Sequence, residues 1–114
     1  MAAWKVTIRN GSTVQREGFD DLDSAIAEAE RQTKEILAEG PMAPAKAFRE
    51  YESSQLVRAR IEIAGKGLLR PPTAGLDIQG DQSLTGFIGG VRRRPIEADD
   101  EAGIFEAIRK ALSG

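Results

Sequence analysis

The stretch Gly89-Gly90-Val91-Arg92-Arg93-Arg94-Pro95 sets three guanidinium groups in a row. Guanidinium presents a planar fork of donors that matches the oxygens of phosphate and carboxylate, so the chemistry open to such a run is anion binding. Further bases recur at alternate positions: Lys5 and Arg9 in WKVTIRN, Arg58 and Arg60 in QLVRARIEIAG. Other chemistry lacks its residues. The 114-residue chain has no histidine and no cysteine, which removes the commonest general base, the usual triad partner and the best zinc ligands together. Ser53, Ser54, Ser83 and Tyr51 have only carboxylates, lysines and arginines as potential bases, and no spacing selects a pair. We expect a non-enzymatic domain with no catalytic residue, no metal and no cofactor.

Two acidic runs invite a metal reading and have a simpler one. Asp20-Asp21-Leu22-Asp23 and Glu97-Ala98-Asp99-Asp100-Glu101 each stand just before an apolar repeat of helical period, where aspartate caps the orphan amides and the macrodipole favours carboxylates. Ala64-Gly65-Lys66-Gly67 lacks the spacing of a phosphate loop, and Gly86-Phe87-Ile88-Gly89-Gly90 lacks the dinucleotide pattern; both read as turn or bulge glycines. Trp4 opens an alternating strand and reads as core rather than as a base-stacking platform.

The elements that position the bases follow from hydrophobic period. Trp4, Val6 and Ile8 alternate with Lys5, Thr7 and Arg9, a half-buried strand, and Asn10-Gly11 supplies a tight hairpin turn into a returning strand over Thr13 to Phe19. Asn10-Gly11-Ser12, formally a glycosylation sequon, is read as that turn. From Leu22 the period changes: Ala25, Ile26, Ala29, Thr33, Ile36 and Leu37 continue one helical stripe, with Asp20 or Asp21 as cap and Gly40-Pro41 as stop. Residues 41 to 54 read as a connector. Val57, Ala59, Ile61 and Ile63 then alternate with Arg58, Arg60 and Glu62; residues 65 to 72 read as a loop; and TAGLDIQ with SLTGFIGGVRRR forms a second hairpin around GDQS. Ile104, Phe105, Ile108, Ala111 and Leu112 make a last helix, capped by Asp99 or Asp100. The expected fold is a two-layer α+β domain spanning residues 1–114. It has a four- or five-stranded, mainly antiparallel sheet, both helices on one face, and the order ββαβββα.

The net charge of −2 hides a partition. Between Asp20 and Glu39 seven acids stand against two bases, a balance of −5; between Glu97 and Ser113 five stand against two, a balance of −3; the remainder carries +6. With both helices on one side of the sheet, their acids face solvent there. The other side then receives Lys5, Arg9, Arg58, Arg60, Arg92 and Arg94, diluted by Glu62 and Asp77. The placement of Arg92 and Arg94 depends on parity. With Phe87 and Val91 inward they point outward beside Leu84 and Ile88; a bulge at Gly89-Gly90 reverses this and leaves Arg93 alone outward. The same face, with Leu56, Leu84 and Ile88 on it, also suits a protein-interaction or homodimer patch, and strand arginines also serve as solvated partners of glutamate that keep edges from aggregating. The amino-terminal stretch holds one lysine and no long apolar run, and no window reaches the length of a membrane span, so a cytoplasmic location away from membranes is expected.

The order strand, helix, three strands, helix, together with Ile104-Phe105-Glu106-Ala107-Ile108 opening the last helix behind acidic residues, resembles the small domain of ribosome hibernation-promoting and ribosome-associated inhibitor proteins. The resemblance covers most of the chain from Trp4, omits the strand over Thr13 to Phe19 and transfers no functional residue. It implies RNA or a ribosomal surface as the anionic partner. The layout WKV, FDDLD, VRRR is also similar to that of short actinobacterial proteins, and that likeness implies no activity.

Overall fold

The computed structural model describes residues 3–40, 57–65, 72–89, 93–98 and 100–113. The alternating segments become β1 (Trp4–Asn10), β2 (Thr13–Phe19), β3 (Val57–Gly65), β4 (Thr73–Gln79) and β5 (Leu84–Ile88), and a two-residue β6 (Arg94–Pro95) follows. The two stripes of helical period become α1 (Leu22–Ala38) and α2 (Glu101–Ser113). The fold is α+β. All ladders are antiparallel, and the strands lie in the order β2-β1-β3-β4-β5-β6. The expected connector over 41–54, the loop core over 66–71, and Leu56, Val91 and Arg92 lie outside the described residues.

One face of the sheet is apolar and carries both helices. Val6 and Ile8 of β1 stand opposite Ile63 and Ile61 of β3, and Ile61 and Ile63 stand opposite Leu76 and Ala74 of β4. All of these are buried, and they meet Ile26, Ala29 and Ile36 of α1 and Ile104, Phe105 and Ile108 of α2 in one core. Trp4 packs against that core from its edge, as its strand position predicts.

Each helix begins where the acidic runs predict. Asp21 caps α1 by accepting a 2.6 Å hydrogen bond from the Ser24 amide, and Asp100 accepts one of 3.0 Å from the Gly103 amide. The far end of α1 has no basic residue in its last turn; the Glu39 and Gly40 amides donate to the Ile36 and Leu37 carbonyls, and two side chains from the sheet and its β4–β5 turn add to them. The Arg58 guanidinium donates to the Gly40 carbonyl and to the Glu39 carboxylate, and the Gln82 side-chain amide donates to the Leu37 carbonyl. Such side-chain donors supplement the backbone cap at a helix end, where the last carbonyls lack their regular i+4 partners. Gln82 does so from a left-handed backbone, φ 73°, a conformation that costs a non-glycine residue about 1 kcal/mol or more. At the other end of the helix pair, Arg109 of α2 pairs with Asp23 in the first turn of α1.

The stretch SLTGFIGGVRRR is not one strand. β5 stops at Ile88, and β6 pairs back on it with Arg94 opposite Ile88 and Pro95 opposite Phe87. Gly89 stands at the reversal with φ 98°, a value that side-chain-bearing residues rarely take. The parity expected for this segment is also reversed. Leu84 stands opposite buried Ile78, and Ile88 opposite buried Ala74, so both pack against the core beneath α2. Phe87 takes the other face. The physical reason is Gly86: a Cβ there would lie 2.9 Å from both Ile104 and Ile96, so this strand meets the helix on the Gly86 side, where α2 approaches the backbone.

Two measurements follow. Gly86→Val drives methyl groups into Ile96 and Ile104 and lowers stability by about 1–3 kcal/mol, read as a shift of the urea midpoint. For acid sensitivity, hydrogen bonding from Ser24, by side chain first and backbone second, holds the Asp21 carboxyl below the usual aspartate range. A depressed folded value means that its contribution is complete above about pH 4, the unfolded value, and is lost as pH falls through the folded one. Asp21→Asn therefore flattens the acid limb of stability against pH, and carboxyl NMR titration places Asp21 below an unstructured aspartate.

Candidate anion-binding site

The face away from the helices is built by the strand residues that the core leaves over. Lys5, Thr7 and Arg9 of β1 alternate with the buried set, and Arg60 and Glu62 of β3 do the same. Register then decides who meets whom. One row across the sheet runs Val14, Arg9, Arg60, Asp77, Thr85, and the next runs Arg16, Thr7, Glu62, Gly75, Phe87, Pro95. Lys5 stands beyond Thr7, between Gly18 and Ala64. Neighbours across strands are about 5 Å apart, and alternate residues along a strand about 7 Å apart.

The two halves of this face differ in charge. On the β3 to β6 side the bases are neutralised. Arg60 grips Asp77 with two hydrogen bonds of 2.6 and 3.0 Å, and that carboxylate, through those bonds first, raises the Arg60 guanidinium further above its already high range. Arg93 lies 3.8 Å from the Glu62 carboxylate. Both guanidiniums lie against Phe87, with their central carbons 5.5 and 4.7 Å from the ring centroid. The ring is only 5% exposed. It lies across Gly75, where a Cβ would come within 2.9 Å of it. An apolar ring is thus buried on a charged face by the arginines above it.

On the β1 and β2 side, Lys5, Arg9 and Arg16 have no acid partner among the described residues. Arg9 stands directly opposite Arg60, an arrangement that like charges disfavour. The acids lie elsewhere. Glu28 and Glu35 are held on α1 by Arg31, and Glu39 at its end by Arg58.

The candidate bases are therefore partly brought together. Lys5, Arg9 and Arg60 share this face. Arg58 does not join them: the ladder between β3 and β4 shifts register between Val57 and Ala59, and such a bulge re-aims the side chain it contains, here toward the end of α1. Arg94 is exposed, but its ladder partner is Ile88, which puts it in the helix-side row. Leu84 and Ile88 are half-buried on the helix side, where they pack against the core, so two of the three apolar patch residues leave the open sheet face. Arg93, the residue that the reversed parity singles out, faces the site. Arg16 was missed. The Asn10-Gly11 turn carries the signal for it, because a two-residue turn pairing Asn10 with Thr13 obliges Thr7 to face Arg16.

Among the described residues no group of three acidic, histidine or cysteine side chains is placed to hold a metal ion, and no helix is long and apolar enough to cross a membrane. The arrangement can hold oxyanions by charge and by hydrogen bonding. Phe87 is the support for its two stacked arginines, and Phe87→Ala is expected to cost about 3 kcal/mol or more, measured by urea unfolding.

Comparison with family models, with curated proteins and with solved structures finds no match to this chain.

Proposed function

We propose that this chain is a non-enzymatic binding domain that holds the phosphates of an anionic polymer on the β1 and β2 half of its sheet, with RNA or a ribosomal surface as the first candidate. The observation that carries this reading is the set Lys5, Arg9 and Arg16, three cations on adjacent strands with no acid among the described residues to neutralise them. Surface cations are usually interspersed with acids; here the acids of the sheet face, Glu62 and Asp77, stand on β3 and β4 beside Arg93 and Arg60, and the β1 and β2 half of that face carries none. A polyanion approaching the sheet face meets net positive charge, while the opposite layer repels it, so the field orients the encounter. Phe87 supports backbone contact over base stacking. At 5% exposure beneath two guanidiniums, it offers no open ring for a base to cover, whereas single-strand readers that stack bases present theirs to solvent. Affinity then comes from phosphate contacts, which carry little sequence preference. Self-association through an apolar patch, the competing reading, has less support, because Leu84 and Ile88 pack against the core.

The test is fluorescence anisotropy with a short mixed-sequence single-stranded RNA over a salt series. Three phosphate contacts predict a slope of log K against log salt of about −2. The triple variant Lys5→Ala, Arg9→Ala, Arg16→Ala is expected to remove most of that slope while leaving the far-UV circular dichroism spectrum intact. Absence of binding at low salt overturns the proposal.

A further inference from the structure

The two edges of the sheet are built differently. One ends in β6, two residues long and closed by Pro95, which has no N–H to offer a further strand. The other is β2, seven residues paired with β1 over their whole length, with no proline and no register shift. All of β2 but Phe19 is exposed. The two-residue turn makes Asn10 and Thr13 a hydrogen-bonded pair, and the Phe19 carbonyl faces back across the ladder, where it accepts from the Ala3 amide. Thr13, Gln15, Glu17 and Phe19 therefore bond toward β1, and the N–H and C=O groups of Val14, Arg16 and Gly18 point away from it. Among the described residues these outward groups have no partner.

We infer that β2 pairs antiparallel with β2 of a second copy of this chain, across a two-fold axis at Gln15, and so joins two six-stranded sheets into one. The strand's own sequence selects this occupant and this register. An axis between residues would pair side chains of opposite faces, so it must fall on a residue. At Arg16 it sets two guanidiniums face to face and at Glu17 two carboxylates, contacts that like charges disfavour. Nearer either end of β2 the strands barely overlap. At Gln15 two neutral amides meet, Thr13 stands beside the partner's Glu17, and Val14 exchanges both of its outward backbone bonds with the partner's Arg16. Both helix layers then lie on one side. On the other, the row Thr7, Arg16 continues into the partner's Val14 and the partner's Arg9, so the cationic strip draws on both copies. Each copy has one open edge, so the pairing closes at two, and the template that a long free edge presents to other chains disappears. The inference is independent of the polymer reading.

The chain has no cysteine, so single cysteines report the register directly. On the axis the two Gln15 Cα atoms stand about 4.5 Å apart, the spacing of a pair without mutual hydrogen bonds, and that is within disulfide reach. The two copies of Thr13, like those of Glu17, stand about 14 Å apart along the strands. In a glutathione redox buffer Gln15→Cys therefore forms a covalent dimer, Thr13→Cys and Glu17→Cys alone do not, and the double variant Thr13→Cys, Glu17→Cys does. All three positions are exposed, so these changes leave the core intact. Sedimentation velocity of the full chain shows a concentration-dependent dimer, weak because one strand pair buries less than about 1,200 Å², the lower bound of standard interfaces. Gln15→Glu places two carboxylates about 5 Å apart and weakens the dimer about fourfold, the Coulomb energy of that pair in water. Val14→Pro removes an outward N–H, spares the bonds to β1 and abolishes the dimer; the cross-links decide the matter even where that variant unfolds. Absence of the Gln15→Cys cross-link, or cross-links equally strong at all three single positions, overturns the pairing. RNA binding by a chain that stays monomeric leaves the polymer reading standing and sinks the dimer, and a dimer that ignores RNA at low salt does the reverse.

Discussion

The pairing of β1 with β3 constrains everything else in this molecule. Setting Val6 against Ile63 and Ile8 against Ile61 buries four branched side chains under α1, and a strand's side chains alternate with a period of two. The residues between them therefore have no choice of face: Thr7 must meet Glu62, and Arg9 must meet Arg60. A slip of one residue would turn the core outward, at a cost of several buried side chains at about 1.5–3 kcal/mol each. The like-charge contact between Arg9 and Arg60 is small beside that sum. The hydrophobic register thus enforces a cationic pairing that local electrostatics alone would not select.

The sheet accommodates that pairing on one side only. Toward β4, Asp77 stands next to Arg60 and holds it with two bonds; toward β2, Arg9 meets only Val14 and the nearby Arg16. The result is a graded face. Its β3 to β6 half is an ion-paired layer over a buried phenyl ring, close to neutral, and its β1 and β2 half is a cationic strip with no acid partner among the described residues. The helix layer is the mirror case, since its acids are held at helix starts by capping and along α1 by Arg31. Charge segregation in this chain is a consequence of which groups the backbone termini and ladders recruit.

Several elements were legible because burial leaves a period in the sequence. The stripe from Leu22 to Leu37, the caps at Asp21 and Asp100, and the alternation in β1 and β3 all appear where their patterns place them. The β5 segment was not legible, because LTGFI is apolar on both faces: Leu84 and Ile88 on one, Phe87 on the other. Hydrophobicity alone cannot say that a phenyl ring will be covered by arginines instead of by a helix. Arg58 was misplaced for a different reason. Alternation holds only while the ladder is regular, and the shift between Val57 and Ala59 frees its guanidinium to satisfy carbonyls at the end of α1. The sixth strand was missed because two residues carry no period at all.

By itself the sequence determined the two-faced strands, the one-striped helices, the acidity of the helix layer and the absence of histidine and cysteine chemistry, all of which depend on residue type and local spacing. Only the tertiary structure decided which bases become neighbours. It joined Arg16 to Lys5 and Arg9, withdrew Arg58, set Arg94 on the helix side and brought Arg93 over Phe87. Those outcomes rest on cross-strand register, one bulge and one chain reversal. Register and reversal are set by backbone hydrogen bonds between segments distant in the chain and by how closely α2 can approach Gly86, so no local pattern of side chains encodes them.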